Sequence, residues 1–140
     1  MKKIVLIIGL FSAVLFSAQK SETYLSLDYN SMCCGTPSTN PVMTYIEAFQ
    51  SKNIGKPIEV YRQSGLGREG EFKLFIGIDA LSKSKRKQFI KGLEETVTSQ
   101  NNKRNRSSDG SVFFTPTQVL SKENLKQINN LTIYKKEKLK

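Results

Sequence analysis

The sequence predicts an α+β domain in which an antiparallel sheet carries helices on one face. Three observations predict it. Several segments place apolar side chains at every second position, two segments between them place apolar side chains at helical spacing, and glycine, proline or serine marks the junctions. The 140 residues include 22 Lys and Arg, 12 Asp and Glu and 0 His, a net charge of +10. A chain of this length supports one core. Without histidine the Ser-His-Asp and Cys-His catalytic arrangements, His-rich zinc sites and a histidine pH switch are excluded.

Lys2 and Lys3 precede the apolar run Ile4 to Phe16, and small Ser17 and Ala18 follow it. This is the pattern of a secretory signal peptide over residues 1–18, cleaved after Ala18, because the apolar run is shorter than the ~20 residues a spanning helix needs. Bulky Phe16, three residues before the cut, is the feature that would favour an uncleaved anchor. Cleavage removes two of the 22 basic side chains and none of the 12 acidic ones, so the remaining domain 19–140 keeps its basic character. No other stretch is apolar enough to cross a bilayer. An exported, periplasmic or secreted protein is expected, in a compartment that permits disulfides.

Thr23 to Asp28 alternates Tyr24 and Ser26 against Leu25 and Leu27, the period of a first strand. After the turn-rich Cys33 to Thr39, Asn40 as N-cap and Pro41 behind it open a helix with the stripe Val42, Tyr45, Ile46 and Phe49. Gly55 and Pro57 end it. Ile58 to Gln63 and Phe72 to Ile78 read as paired strands joined through Ser64 to Glu71, whose three glycines supply positive φ at low cost. Ser82 or Ser84 caps a second helix that runs to about Ser99 with Leu81, Phe89, Ile90, Leu93 and Val97 inward. Asn101 to Gly110 is expected to be a mobile exposed loop. Ser111 to Thr115 is a fourth strand, ended by Pro116, which has no ladder donor. Ser121 caps a short helix with Leu125 and Ile128, Leu131 to Tyr134 forms an edge strand, and 135–140 is a flexible basic tail.

The resulting order βαββαβ, with a C-terminal short helix and strand, suits a ferredoxin-like sandwich. It also resembles the order of heavy-metal-associated domains, which hold a metal in the loop between the first strand and the first helix. Their Met-x-Cys-x-x-Cys motif stands here as Met32-Cys33-Cys34, without the spacer that lets two thiolates converge, and the resemblance is confined to the element order over about residues 23–115.

Cys33 and Cys34 are the chemically loaded residues of the chain. With the Met32 thioether they form a soft donor set suited to Cu(I) or a similar thiophilic ion, and the following helix start with nearby basic charge would favour thiolate. Two free, structural thiols are the first expectation. Adjacent Cα atoms lie about 3.8 Å apart, short of the usual ~4.4–6.8 Å of a disulfide, which makes a vicinal bond strained and easily reduced. A vicinal disulfide, an intermolecular one and thiol redox chemistry are the alternatives.

Lys85, Arg86 and Lys87 in one group and Lys103, Arg104 and Arg106 in another are candidate anion-binding residues, able to attract an acidic membrane or envelope surface. Nucleic acid is not an expected partner. Tyr61 and Tyr134 are the exposed aromatics left for stacking, while Phe72, Phe75, Phe89, Phe113 and Phe114 are assigned to the interior. Gly65-Leu66-Gly67-Arg68-Glu69-Gly70 matches the dinucleotide fingerprint in letters, but a strand follows it where that fingerprint needs a helix. Glu69 with Glu71 and Glu94 with Glu95 offer no convergent acid and base. A non-enzymatic binding protein follows as the expected function. An envelope protein or an anionic surface is its expected partner.

Overall fold

The computed structural model describes residues 22–53 and 57–135. The signal-peptide segment 1–18, the helix-ending Gly55 and the tail beyond Lys135 lie outside the described residues. The described residues form an α+β arrangement: β1 (Thr23–Asn30), α1 (Asn40–Asn53), β2 (Val60–Gln63), β3 (Phe72–Gly77), α2 (Lys83–Lys103), β4 (Ser111–Ser121), α3 (Lys122–Lys126) and β5 (Leu131–Ile133). The strands make one antiparallel sheet in the order β4-β1-β3-β2-β5. Among the described residues no helix is long and apolar enough to cross a membrane.

Alternation in the strands decides what each face buries. Leu25, Leu27 and Tyr29 stand opposite Ile76, Leu74 and Phe72. This row meets Val42, Met43 and Ile46 of α1 and Phe89, Leu93 and Val97 of α2 in the main core. Met43 joins the expected stripe, and Tyr45 and Phe49 lie half-buried beside it. Gly92 brings the two helices together, because a Cβ there would run into the Tyr45 ring. Tyr45 uses this proximity to donate its hydroxyl to the Phe89 carbonyl at 2.9 Å.

The other sheet face carries Tyr24, Phe75 and Tyr61, covered by Leu125 of α3 and by Ile128 just after it. The sheet is thus sandwiched between two helices and one short turn of helix, an arrangement the sequence left open. Phe113 lies on this second face opposite Asp28 and is 59% exposed, contrary to its expected interior position. The reason is reach: Leu120, near the other end of β4, joins the α3 cluster, and Phe113 does not.

Several boundaries differ from expectation for local reasons. Asn40 is the first helical residue and not the cap; Ser38 Oγ accepts its N–H at 3.1 Å, and Met43 N–H donates to the Thr39 carbonyl. β4 continues through Pro116 to Ser121. It does so on a sheet edge, where the register jumps between Leu25↔Val119 and Leu27↔Phe114, so the proline sits in a bulge that asks for no ladder N–H. Helix α2 reaches Lys103 instead of Ser99. The expected loop from Asn101 therefore starts only at Arg104; it is largely exposed as expected and carries internal hydrogen bonds, Asn105 N–H to Asp109 Oδ2 and Arg104 Nη1 to the Asp109 carbonyl among them. Ser82 and Ser121 cap α2 and α3 as expected, accepting from Lys85 N–H and Asn124 N–H.

Candidate functional site

The loop between β1 and α1 begins with a turn in which Ser31 Oγ accepts the Gly35 N–H at 3.1 Å, and Gly35 takes φ 109°. A positive φ of this kind suits glycine, which has no Cβ to crowd the backbone. Cys33 and Cys34 are joined by a disulfide inside this turn. The first expectation of two free thiols therefore gives way to the vicinal bond. An extended strand would send neighbouring side chains to opposite faces, whereas a turn lets them meet. Both residues are exposed, as is Met32 at 60%.

The second wall is the end of α2 and the loop leading into β4. Asn101 clamps the start of β4, its Nδ2 donating to the Val112 carbonyl at 2.8 Å and its Oδ1 accepting the Val112 N–H at 3.0 Å. Asp109 Oδ2 accepts the Asn105 N–H at 2.7 Å, and Arg104 Nη1 donates to the Asp109 carbonyl at 3.1 Å. Gln100 Nε2 donates to the Ser38 carbonyl at 2.7 Å, tying the two walls together. Gly110 is buried where any side chain would strike the Asn30 carbonyl and Pro37.

Between the walls lies a cleft of about 350 Å³, lined by Cys34, Pro37, Gln100, Lys103, Arg104 and Asp109 among others. Cys33 Sγ lies across it, 3.3 Å from the Ser108 carbonyl oxygen. Within the disulfide that sulfur carries no proton, so the approach is a close polar contact; after reduction the thiol becomes a donor to the same oxygen. Reduction would also free two thiols beside Met32, the soft donor set read from the sequence. Among the described residues no group of three or more Cys, Asp or Glu converges on a cation position.

The six basic candidates do not come together. Lys85 and Lys103 stand near opposite ends of α2, separated by about 27 Å at the rise of a helix. At the first end, Lys85 Nζ donates to Asn53 Oδ1 at 2.7 Å and Arg86 pairs with Asp79 at 3.3 Å, while Lys87 is exposed. Asp79 in turn accepts the Thr23 N–H at 2.6 Å, so Arg86 supports the start of β1. At the second end Lys103 and Arg104 line the cleft, and Arg106 is exposed in the loop beyond.

Neither aromatic expected to be exposed is so. Tyr61 packs edge-on against Tyr24 at 5.9 Å, and the two hydroxyls donate to opposite oxygens of Glu59 at 2.7 Å each. Tyr134 is half-buried, its hydroxyl 2.8 Å from Thr39 Oγ1.

The residue that sequence reasoning missed is Arg62. It shares a strand face with buried Val60 and stands opposite Leu74, so its guanidinium enters the helix-covered side and lies 3.9 Å from the Phe72 ring centroid. A basic residue two positions from a core valine was the available signal.

No known protein family, curated protein or solved structure matches the chain.

Proposed function

We propose that this chain is an exported, non-enzymatic binding protein whose recognition surface is the cleft beside the Cys33–Cys34 disulfide. One observation carries the reading: an exposed vicinal disulfide stands at a cleft of about 350 Å³, with Lys103 and Arg104 among its lining residues. That volume suits a small molecule or a short peptide end. Export rests on Lys2, Lys3 and the apolar run behind them, and an oxidising compartment agrees with an exposed disulfide.

The test is intact and native mass spectrometry of protein recovered from its native compartment, with and without alkylation. The expected species lacks residues 1–18, resists alkylation until reduced, then takes two alkyl groups, and retains a small adduct that Arg104→Ala releases. Protein that keeps residues 1–18, or shows no adduct in either cysteine state, contradicts the reading.

A second reading uses the same pair as a thiol redox or copper-type centre, favoured by the exposure of both cysteines and of Met32. In the redox form a donor dithiol is oxidised to its own disulfide, and Cys33–Cys34 takes up its two electrons and two protons. In the metal form the reduced pair takes up Cu(I), and Cys33→Ser abolishes the uptake. Attraction to an anionic surface would fall to Lys103, Arg104 and Arg106 at one end of α2. Retention on heparin that drops steeply with salt would reveal it.

We also assign residues 23–121 to the ferredoxin-like class. The support is that β1 to β4 lie side by side as β4-β1-β3-β2, with α1 and α2 as the crossovers and the face of Leu27 and Leu74 beneath them. β5 beside β2 and α3 on the opposite face are additions to that plan.

A further inference from the structure

Arg62 is a cation on the helix-covered face of the sheet, standing between Leu74 of β3 and Thr132 of β5. Its guanidinium lies over Phe72, with the Tyr134 ring 5.7 Å away, and its Nε is shut off from solvent with no hydrogen-bond partner. Among the described residues the ion pairs go to Lys73, Arg86, Lys91 and Lys122, and none to Arg62. Stacking on rings uses the face of a guanidinium. Its five N–H donors lie in the plane and point past the ring edges, so the aromatic contacts leave them unanswered. A half-buried charge left this way is costly, and the cost is recovered when an acceptor of opposite charge fills the space in front.

That space exists. A cavity of about 200 Å³ opens beside Arg62, walled by Phe72, Tyr134 and the segment from Thr36 to Asn40. Among the described residues no Asp or Glu is part of its walls. Ser38, Thr39 and Tyr134 bring hydroxyls, and the first turn of α1 contains no acidic residue, leaving the positive end of a 14-residue helix uncompensated. A second orphan stands beside the same ring: Tyr29, 0% exposed, stacks on Phe72 at 4.5 Å and its hydroxyl has no partner. The volume is below the roughly 300 Å³ at which drug-sized ligands begin, which limits the occupant to a single small group.

We propose that Arg62, with Tyr134 and the Ser38–Thr39 approach to α1, forms a binding site for a small oxyanion, a phosphate or short carboxylate group. The guanidinium fork supplies two parallel N–H donors to two oxygens, and the hydroxyls answer the remaining ones. Arg62 takes no part in the disulfide cleft, which lies on the other side of the Thr36–Ser38 segment, so the two readings fail separately.

The test follows the Arg62 Nε–H resonance of the ¹⁵N-labelled full chain in a phosphate-free buffer, titrated with sodium phosphate or sodium acetate against sodium chloride at equal ionic strength. Saturable displacement of that resonance by phosphate, acetate or both, with no comparable response to chloride, is the expected result. Phosphate alone selects a tetrahedral ligand, and acetate alone a carboxylate. Arg62→Lys, read like the parent chain from the backbone amides of Thr36, Ser38 and Thr39 at the cavity wall, keeps the charge but not the fork and should weaken binding about tenfold or more, while Arg106→Ala leaves it unchanged. Equal responses to all three salts, or unaltered binding in Arg62→Lys, overturn the proposal. Should Arg62→Lys fold poorly, the wild-type titration decides alone. A Glu137→Gln chain is titrated in parallel; binding that appears only there makes the chain's own tail carboxylate the occupant and also overturns it.

Discussion

Cys33 Sγ lies 3.3 Å from the carbonyl oxygen of Ser108, linking the loop before α1 to the loop before β4 across 75 positions of sequence. Oxidised, the sulfur cannot donate to that oxygen; reduced, it can. Reduction should therefore displace the backbone amide resonances of both loops, 31–38 and 108–110, and leave those of α3 and β5 in place. Displacement confined to Cys33 and Cys34 and their immediate neighbours would separate the disulfide from the cleft.

Gly110 is the contact point of the same two loops. Its missing side chain lets the chain pass against the Asn30 carbonyl and Pro37. Gly110→Ala should cost about 2 kcal/mol of stability by forcing backbone to yield, measured by denaturant unfolding. An unchanged midpoint would mean that the loops separate at little cost.

Asn101 replaces a missing strand neighbour for β4 by pairing with both backbone groups of Val112. Asn101→Ala removes two hydrogen bonds and leaves a donor and an acceptor unmatched. A loss of about 2 kcal/mol is expected, together with faster hydrogen exchange at the Val112 amide than in the parent chain. Asn101→Asp should retain the bond from the Val112 N–H but not the bond to its carbonyl, and fall between the two.

Tyr61 donates its hydroxyl to Glu59, and that bond, with burial behind it, pushes its pKa up from 10.0 to about 12. The protonated phenol is the form that the fold favours. Its contribution is therefore complete below the ordinary tyrosine value and is lost as pH rises from there through about 12. Tyrosinate absorbance should reveal Tyr61 ionising late, and Glu59→Ala should return it toward ordinary behaviour. No change in Glu59→Ala would deny the carboxylate its role. Tyr24 shares the same carboxylate, so its own ionisation, raised first by burial and then by Glu59, should move in the same direction.

Much of the fold is legible in short stretches because its causes are short-range. Leu25 and Leu27 alternate with Tyr24 and Ser26, and β1 follows. Phe89, Leu93 and Val97 recur at helical spacing, and α2 follows; Ser82 and Ser121 cap helices through bonds three residues long. Pro116 shows where this reading stops. A proline ends a strand only if its missing N–H would have been needed, and whether it is needed depends on the bulge that β4 makes against β1, more than eighty residues earlier in the chain.

The candidate site was half legible for the same reason. Cys33 and Cys34 announce themselves by adjacency, but their bonded state depends on the turn set by Ser31 and Gly35. The basic clusters were visible as runs, yet helix length keeps Lys85 and Lys103 apart and Asp79 engages Arg86. By itself the sequence determined an α+β chain, its strand and helix periods, the serine caps of α2 and α3 and its basic charge, since each is fixed by neighbours within one or two turns. Only the tertiary structure decided that α3 covers the second face, that Cys33 meets Ser108, and that Arg62 lies between Phe72 and Tyr134 beside a small cavity. Those outcomes depend on which distant segments share a sheet edge or a loop, and periodicity records which face a side chain takes but not who waits there.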